Sequence, residues 1–248
     1  MIKKFLAAIY IMLTLILSGC DDDKKTEILV FATCADYPPF EFYQNNELKG
    51  FDVELAQMIA QELKKEAKFE DMQFDASLVA LQNGSADAAI STITITEDRK
   101  KNFDFSDSYH EESLAIVSKE TAPLKSKNQL SKKKIACQLG TTMEIWLKDH
   151  APDTEIVLIN HNNQAIEALK AGHVDGVLID KAQAIAFTSK NPGLVYSIIA
   201  KADNGYGIAF KKGSKLKDEI NKALALLQQN GKVKALEAKY LESTEWNK

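Results

Sequence analysis

Two stretches of this chain, 88 residues apart, carry the same pattern, and that repeat limits the possible folds more than any other feature. Ala80-Leu81-Gln82-Asn83-Gly84-Ser85-Ala86-Asp87-Ala88-Ala89-Ile90 matches Ala168-Leu169-Lys170-Ala171-Gly172-His173-Val174-Asp175-Gly176-Val177-Leu178 (168 − 80 = 88). Each copy reads as the end of a helix, a glycine stop and an apolar strand that runs into polar residues. Glycine at a helix C-terminus supplies the left-handed cap. The period is far longer than that of a solenoid. Two similar α/β lobes are the natural reading.

Hydrophobic periodicity fills in the rest. Strands are expected at Ile28–Thr33, Ala67–Gln73, Ala86–Ile90 and Ser113–Ser118, then at Lys134–Gln138, Glu155–Ile159, Val174–Ile179, Leu194–Ile199 and Gly207–Phe210. Helices are expected from an Asp52 cap to about Leu63 and near Leu78–Gln82, and again at Thr141–Lys148, Gln164–Ala171, Asp180–Ser189, Leu216–Gln229 and Lys232–Leu241. Alternating strands and helices predict mostly parallel sheets covered on both faces. Such sheets bind ligands beyond the carboxyl ends of their strands. Polar residues gather at those ends, after Thr33, Ile90, Gln138 and Ile179.

The N-terminus bears on location. Lys3 and Lys4 precede an uncharged apolar run, Phe5 to Leu17, and then Ser18-Gly19-Cys20. This is the layout of a secretory signal, since a spanning helix needs about 20 apolar residues. The Leu17-Ser18-Gly19-Cys20 ending resembles a bacterial lipobox, which implies a signal peptide over 1–19, lipidation of Cys20 and a tether over 20–25. Such a chain is expected in the periplasm or at the cell surface, lipid-anchored, at the inner membrane if the cell is Gram-negative. Without residues 1–19 the net charge changes from −4 to −6, because two lysines leave and no acid does. That balance gives no electrostatic footprint for nucleic acid. Cys34 and Cys137 are too few and too far apart for a disulfide framework and read as free thiols. The four histidines lack metal-ligand spacing, and no phosphate loop, nucleophile elbow or dinucleotide fingerprint is present. No cofactor is expected.

Arg99 is the only arginine among 31 basic residues. A guanidinium is a rigid fork that pairs a carboxylate through two parallel hydrogen bonds, which lysine cannot reproduce. Arg99 follows Ser91-Thr92-Ile93-Thr94-Ile95-Thr96, alternating hydroxyls that run out of an apolar strand. The run reads as a cradle for a small carboxylate, or alternatively as a solvated turn.

Several further stretches carry a resemblance: Ala35-Asp36-Tyr37-Pro38-Pro39-Phe40-Glu41-Phe42, Gly50-Phe51-Asp52-Val53-Glu54-Leu55, Phe103-Asp104-Phe105-Ser106-Asp107-Ser108-Tyr109, Leu139-Gly140-Thr141-Thr142 and Gly205-Tyr206-Gly207-Ile208-Ala209. In order and spacing, and with the Ser91 to Arg99 run, the chain resembles the extracytoplasmic solute-binding proteins of polar-amino-acid ABC transporters, the lysine/arginine/ornithine-, histidine- and glutamine-binding group. The resemblance implies a two-lobed α/β fold of the type II periplasmic-binding-protein class with a two-segment hinge. Lobe one would hold 26–110 and 203–248, and lobe two 111–202. It implies a monomer that delivers an amino acid to a membrane permease, and no enzymatic activity.

Residue by residue, the resemblance gives Arg99 the ligand's α-carboxylate, with Thr142 as a second contact near a helix start. It gives Asp180 the α-ammonium, although Asp180 also reads as a helix N-cap. Ser91, Thr92 and Thr94 complete these contacts, and Tyr37 and Phe74 sandwich the ligand side chain. Cys34 departs from the pattern, standing where several relatives carry an acid that reads the distal end. Asp36 and Glu41 lie close by and are expected to supply that charge, which favours arginine or lysine over glutamine or another polar amino acid. A dehydratase-like enzyme on the same fold and the ligand-binding module of a sensor are the alternative functions.

Overall fold

A computed structural model describes residues 26–201 and 204–242. The expected signal, Cys20 and its tether, and part of the second hinge segment lie outside the described residues. Two five-stranded sheets carry the molecule, joined by two crossing segments.

The first sheet has the order β5-β1-β6-β13-β7, with β1 Glu27–Thr33, β5 Lys65–Asp71, β6 Ala88–Ala89, β7 Phe103–Phe105 and β13 Ala209–Lys211. The second has the order β10-β9-β11-β8-β12, with β8 Ser113–Lys119, β9 Lys134–Gln138, β10 Glu155–Ile159, β11 Gly176–Asp180 and β12 Leu194–Lys201. In each sheet the first three strands are parallel, and the fourth, β13 or β8, runs against both neighbours. The expectation of mostly parallel sheets is corrected to mixed ones. Both reversed strands begin just after the chain crosses between the sheets, so they start at the seam where their neighbours end. The crossings lie side by side: Tyr206 N donates to His110 O at 2.8 Å, and Tyr109 N donates to Tyr206 O at 3.0 Å.

The repeat has a structural meaning. Helix α2 (Phe74–Asn83) and helix α5 (Asn162–Ala171) stand 88 residues apart, and their caps Gly84 and Gly172 have φ of 78° and 80°. After each cap an aspartate grips the neighbouring strand twice. Asp87 Oδ2 accepts from Val30 N while Asp87 N donates to Val30 O. Asp175 repeats both bonds with Lys134.

Apolar side chains leave both faces of each sheet. On β1, Leu29 and Phe31 meet helices α1 (Phe51–Glu62), α7 (Leu216–Gln229) and α8 (Lys232–Tyr240), while Ala32 faces α2. On β11, Val177 and Ile179 pack under α5 and α6 (Lys181–Lys190), and Leu178 under α4 (Thr142–His150). Helix α7 is amphipathic as expected, burying Ile220, Ala223, Leu224 and Leu227 at helical spacing.

Other expectations need correction. Asp52 does not cap α1: Gly50 holds the N-cap at φ 132°, where a Cβ would fall 2.0 Å from Phe40 O. Asp52 is buried in the first turn and accepts from Thr92 N and Tyr109 Oη, each at 2.8 Å. Helix α2 begins at Phe74 rather than Leu78. A three-stranded sheet, β2 (Asp36–Tyr37), β3 (Glu41–Gln44) and β4 (Glu47–Lys49), escaped detection because its strands are short. So did the six-residue helix α3 (Glu97–Asn102) that carries Arg99.

Candidate functional site

At the seam, the carboxyl ends of strands from both sheets enclose a small cavity. Tyr37, Phe74, Thr92, Thr94 and Arg99 line it from the side of the first sheet, and Gln138, Thr141, Thr142, Met143 and Asp180 from the side of the second. A wider groove opens beside it past Trp146 and Lys201, sharing Thr94, Thr142 and Asp180.

Arg99 reaches the cavity because Thr96 caps α3, its Oγ1 accepting from Arg99 N at 3.2 Å. The guanidinium donates from Nη1 to Thr94 O at 2.8 Å and from Nη2 across the seam to Gly140 O at 3.1 Å. A guanidinium has five N–H donors, so these two bonds fix its plane and leave donors over. Its carbon lies 5.4 Å from the Phe74 ring centre, a cation–π contact. Burial brings its pKa down to about 10, so Arg99 stays charged.

Asp180 faces it from the second sheet. It stands at the N-cap of α6 but makes no side-chain capping bond. Glu112 caps that helix instead, its Oε2 accepting from Ala182 N at 3.1 Å. Asp180 is thereby left to the cavity, where its Oδ2 accepts from Tyr37 Oη at 2.5 Å. Burial pushes the Asp180 carboxyl up to about 6, although the Tyr206 and Tyr37 hydroxyls work against that rise.

The hydroxyls take two roles. Thr94 Oγ1 and Thr142 Oγ1 meet across the seam at 3.4 Å. Thr141 spends its hydroxyl on Gln138 O at 2.7 Å, so α4 begins with no side-chain cap and its first amides stay open to an anion. Thr92 has φ 47°, a strained conformation for a β-branched residue, and Asp52 holds it there through Thr92 N. Strain of this kind costs about 1–3 kcal/mol and gathers at functional sites.

Four residues singled out in the sequence stand behind the wall rather than on it. Ser91 Oγ donates to Glu41 Oε1 at 2.7 Å and accepts from Cys34 N at 3.2 Å. Cys34 donates its thiol to Asp36 Oδ1 at 3.3 Å, and Asp36 Oδ2 accepts from Asn162 N at 3.0 Å, at the start of α5. Glu41 is fully buried beside Asp52, and its Oε2 meets no donor among the described residues. Burial and the neighbouring Asp52 charge push the Glu41 carboxyl upward, while Asp52, with its two donors, rises to about 6 through burial. Cys34 and Cys137 are both free. Gln138, Thr141 and Met143 were missed as site residues. The end of strand β9 pointed to Gln138, and Thr141 lies in the Leu139–Thr142 stretch that carries the resemblance; nothing in the pattern marked Met143.

Residues 29–243 match the family described as bacterial extracellular solute-binding proteins, family 3. The arginine-binding extracellular protein ArtP of Bacillus subtilis (strain 168) is 34% identical over 228 residues, spanning 90% of this chain and 89% of ArtP. The ABC transporter glutamine-binding protein GlnH of the same strain is 33% identical, spanning 88% of this chain and 83% of GlnH. An ancestral arginine-binding protein bound to arginine superposes with a TM-score of 0.83 at 38% identity, covering 86% of this chain and 97% of that one. The two sheets with their flanking helices are therefore the type II periplasmic-binding-protein fold, and the chain belongs to the family 3 bacterial extracellular solute-binding proteins, amino-acid-binding partners of ABC transporters rather than enzymes.

Proposed function

We propose that this protein captures a free polar α-amino acid outside the cytoplasmic membrane and hands it to an ABC permease after its two lobes close around it. One observation carries the reading: Arg99 and Asp180, opposite charges from opposite sheets, line the same cavity. Arg99 would hold the α-carboxylate with Thr142 and the open amides of α4, and Asp180 the α-ammonium with Thr92 and Thr94. Both charges of a zwitterion then have fixed partners, which offsets their desolvation. A ligand that touches both lobes favours the closed form over the open one. The lobes would be 26–110 with 203–248, and 111–202.

Arginine is the ligand we favour, with lysine next. The support is charge. Glu41, Asp52, Asp36 and Asp180 are all buried acids raised by burial, and among the described residues Arg99 is the one cation lining the cavity. A second cation entering between Tyr37 and Phe74 would favour the ionised forms of these acids and be held by them. Glu41 and Asp36 act from behind Ser91 and Cys34, through their field rather than by contact. A neutral ligand such as glutamine is the second reading, favoured by the neutral wall of Gln138, Thr141 and Met143. The leader sequence supports lipidation at Cys20. Calorimetry of ligand-stripped, refolded protein against the twenty amino acids tests the ligand: arginine should bind tightest, and a preference for glutamate or an aliphatic side chain would refute the reading.

A further inference from the structure

We infer that Cys34, Asp36 and His161 form a divalent metal site, best suited to zinc, on the seam between the two sheets and apart from the amino-acid cavity. One donor atom from each lies within 4.8 Å of the others. His161 Nδ1 stands 3.2 Å from Asp36 Oδ2, and Cys34 Sγ stands 3.3 Å from Asp36 Oδ1. Sulfur, imidazole nitrogen and carboxylate oxygen together are the donor set of zinc, and three protein ligands leave one position for water. The three face a recess shared with Ala35, Asp71 and Gln73, none of which lines the amino-acid cavity.

The surroundings suit a metal. Asn162 N already orients Asp36 through Oδ2, and Gln138 Nε2 lies 3.6 Å from Cys34 Sγ, where its N–H can donate to a thiolate bound to the metal. On binding, the Zn–S bond replaces the S–H bond and the thiol proton leaves to solvent. Cys34 and Asp36 flank the first sheet, and His161 precedes α5 beside the second. A metal held by all three would tie the halves of the molecule together and cancel the Asp36 charge, so the field that favours a cationic ligand belongs to the metal-free form.

The test uses the untagged full chain carrying Cys20→Ala, in detergent and under reducing conditions, titrated with zinc chloride and separately with cobalt(II). One zinc per chain is expected. The His161→Ala variant, whose side chain is 39% exposed and so removable without disturbing the core, should weaken zinc binding at least tenfold. Cobalt should give a sulfur-to-metal charge-transfer band that disappears in Cys34→Ser. Absence of stoichiometric zinc, binding unchanged in His161→Ala, or a cobalt complex without the sulfur band would overturn the site.

Discussion

Replacing Arg99 with lysine keeps the positive charge and removes the fork. In the structure the guanidinium spends one donor on Thr94 O and one on Gly140 O, and those two bonds aim the rest into the cavity. An ammonium has three donors on a mobile stem and cannot keep both backbone bonds while also meeting a carboxylate with two parallel ones. At least one charge-assisted hydrogen bond to the ligand is lost, at about 1.5–3 kcal/mol. Loss of the Phe74 contact weakens the free fold and not the affinity, because that contact is already present without ligand. The expected cost to binding is therefore about 1.5–3 kcal/mol, a loss of roughly 10-fold to 150-fold in affinity. Calorimetry on ligand-stripped protein measures it directly, and thermal unfolding of the free variant shows that the fold survives. Affinity within about threefold of the parent, with an intact fold, would remove Arg99 from the ligand and refute the reasoning.

The role proposed for Asp180 makes binding depend on pH. Its carboxyl sits at about 6 in the free protein, and an ammonium ligand requires the ionised form, so affinity should fall about tenfold between pH 7 and pH 5. That slope should vanish in Asp180→Asn. The same raised value means that the free fold binds this proton more tightly than the unfolded chain. Its contribution to stability is therefore present below about pH 4 and lost as pH rises through about 6, and denaturant titrations of the parent and Asp180→Asn should differ in that window. Glu41→Gln keeps an amide near Ser91 and removes a buried carboxyl that a ligand cation would draw toward its ionised form; arginine should bind more weakly, by up to roughly tenfold, while glutamine binds about as before. Equal losses for both ligands would rule out a field effect. Cys20→Ala should move the protein from the membrane fraction to the soluble or uncleaved precursor pool, and unchanged fractionation of a processed chain would refute the lipid anchor.

The repeated half of the fold was legible because its physics is local. A glycine at φ near +80° and an aspartate three residues later both leave marks in the sequence, and they place β6 and β11, α2 and α5. The buried strand Lys134–Gln138 and the edge strand Glu155–Ile159 both read as apolar runs and fell where expected. The small sheet around Tyr37 has strands of two to four residues, too short for a period to show. Asp52 looked like a cap because acids favour helix starts; it serves instead as a buried anchor for the strained Thr92, a tertiary contact that no local pattern records. Arg99 stood out as a lone residue type. The freeing of Asp180 depends on Glu112, which arrives from the hinge, 70 residues earlier than Ala182 in the chain, to cap α6. Such pairings are set by the fold and appear only once it is built.

The central claim is a zwitterion held between two sheets, and a crystal structure of the protein with its amino acid bound tests it most directly. The account predicts the α-carboxylate on the Arg99 fork and the α-ammonium on Asp180, with the side chain between Tyr37 and Phe74. A bound amino acid whose carboxylate lies away from Arg99, or whose ammonium has no contact with Asp180, would contradict it.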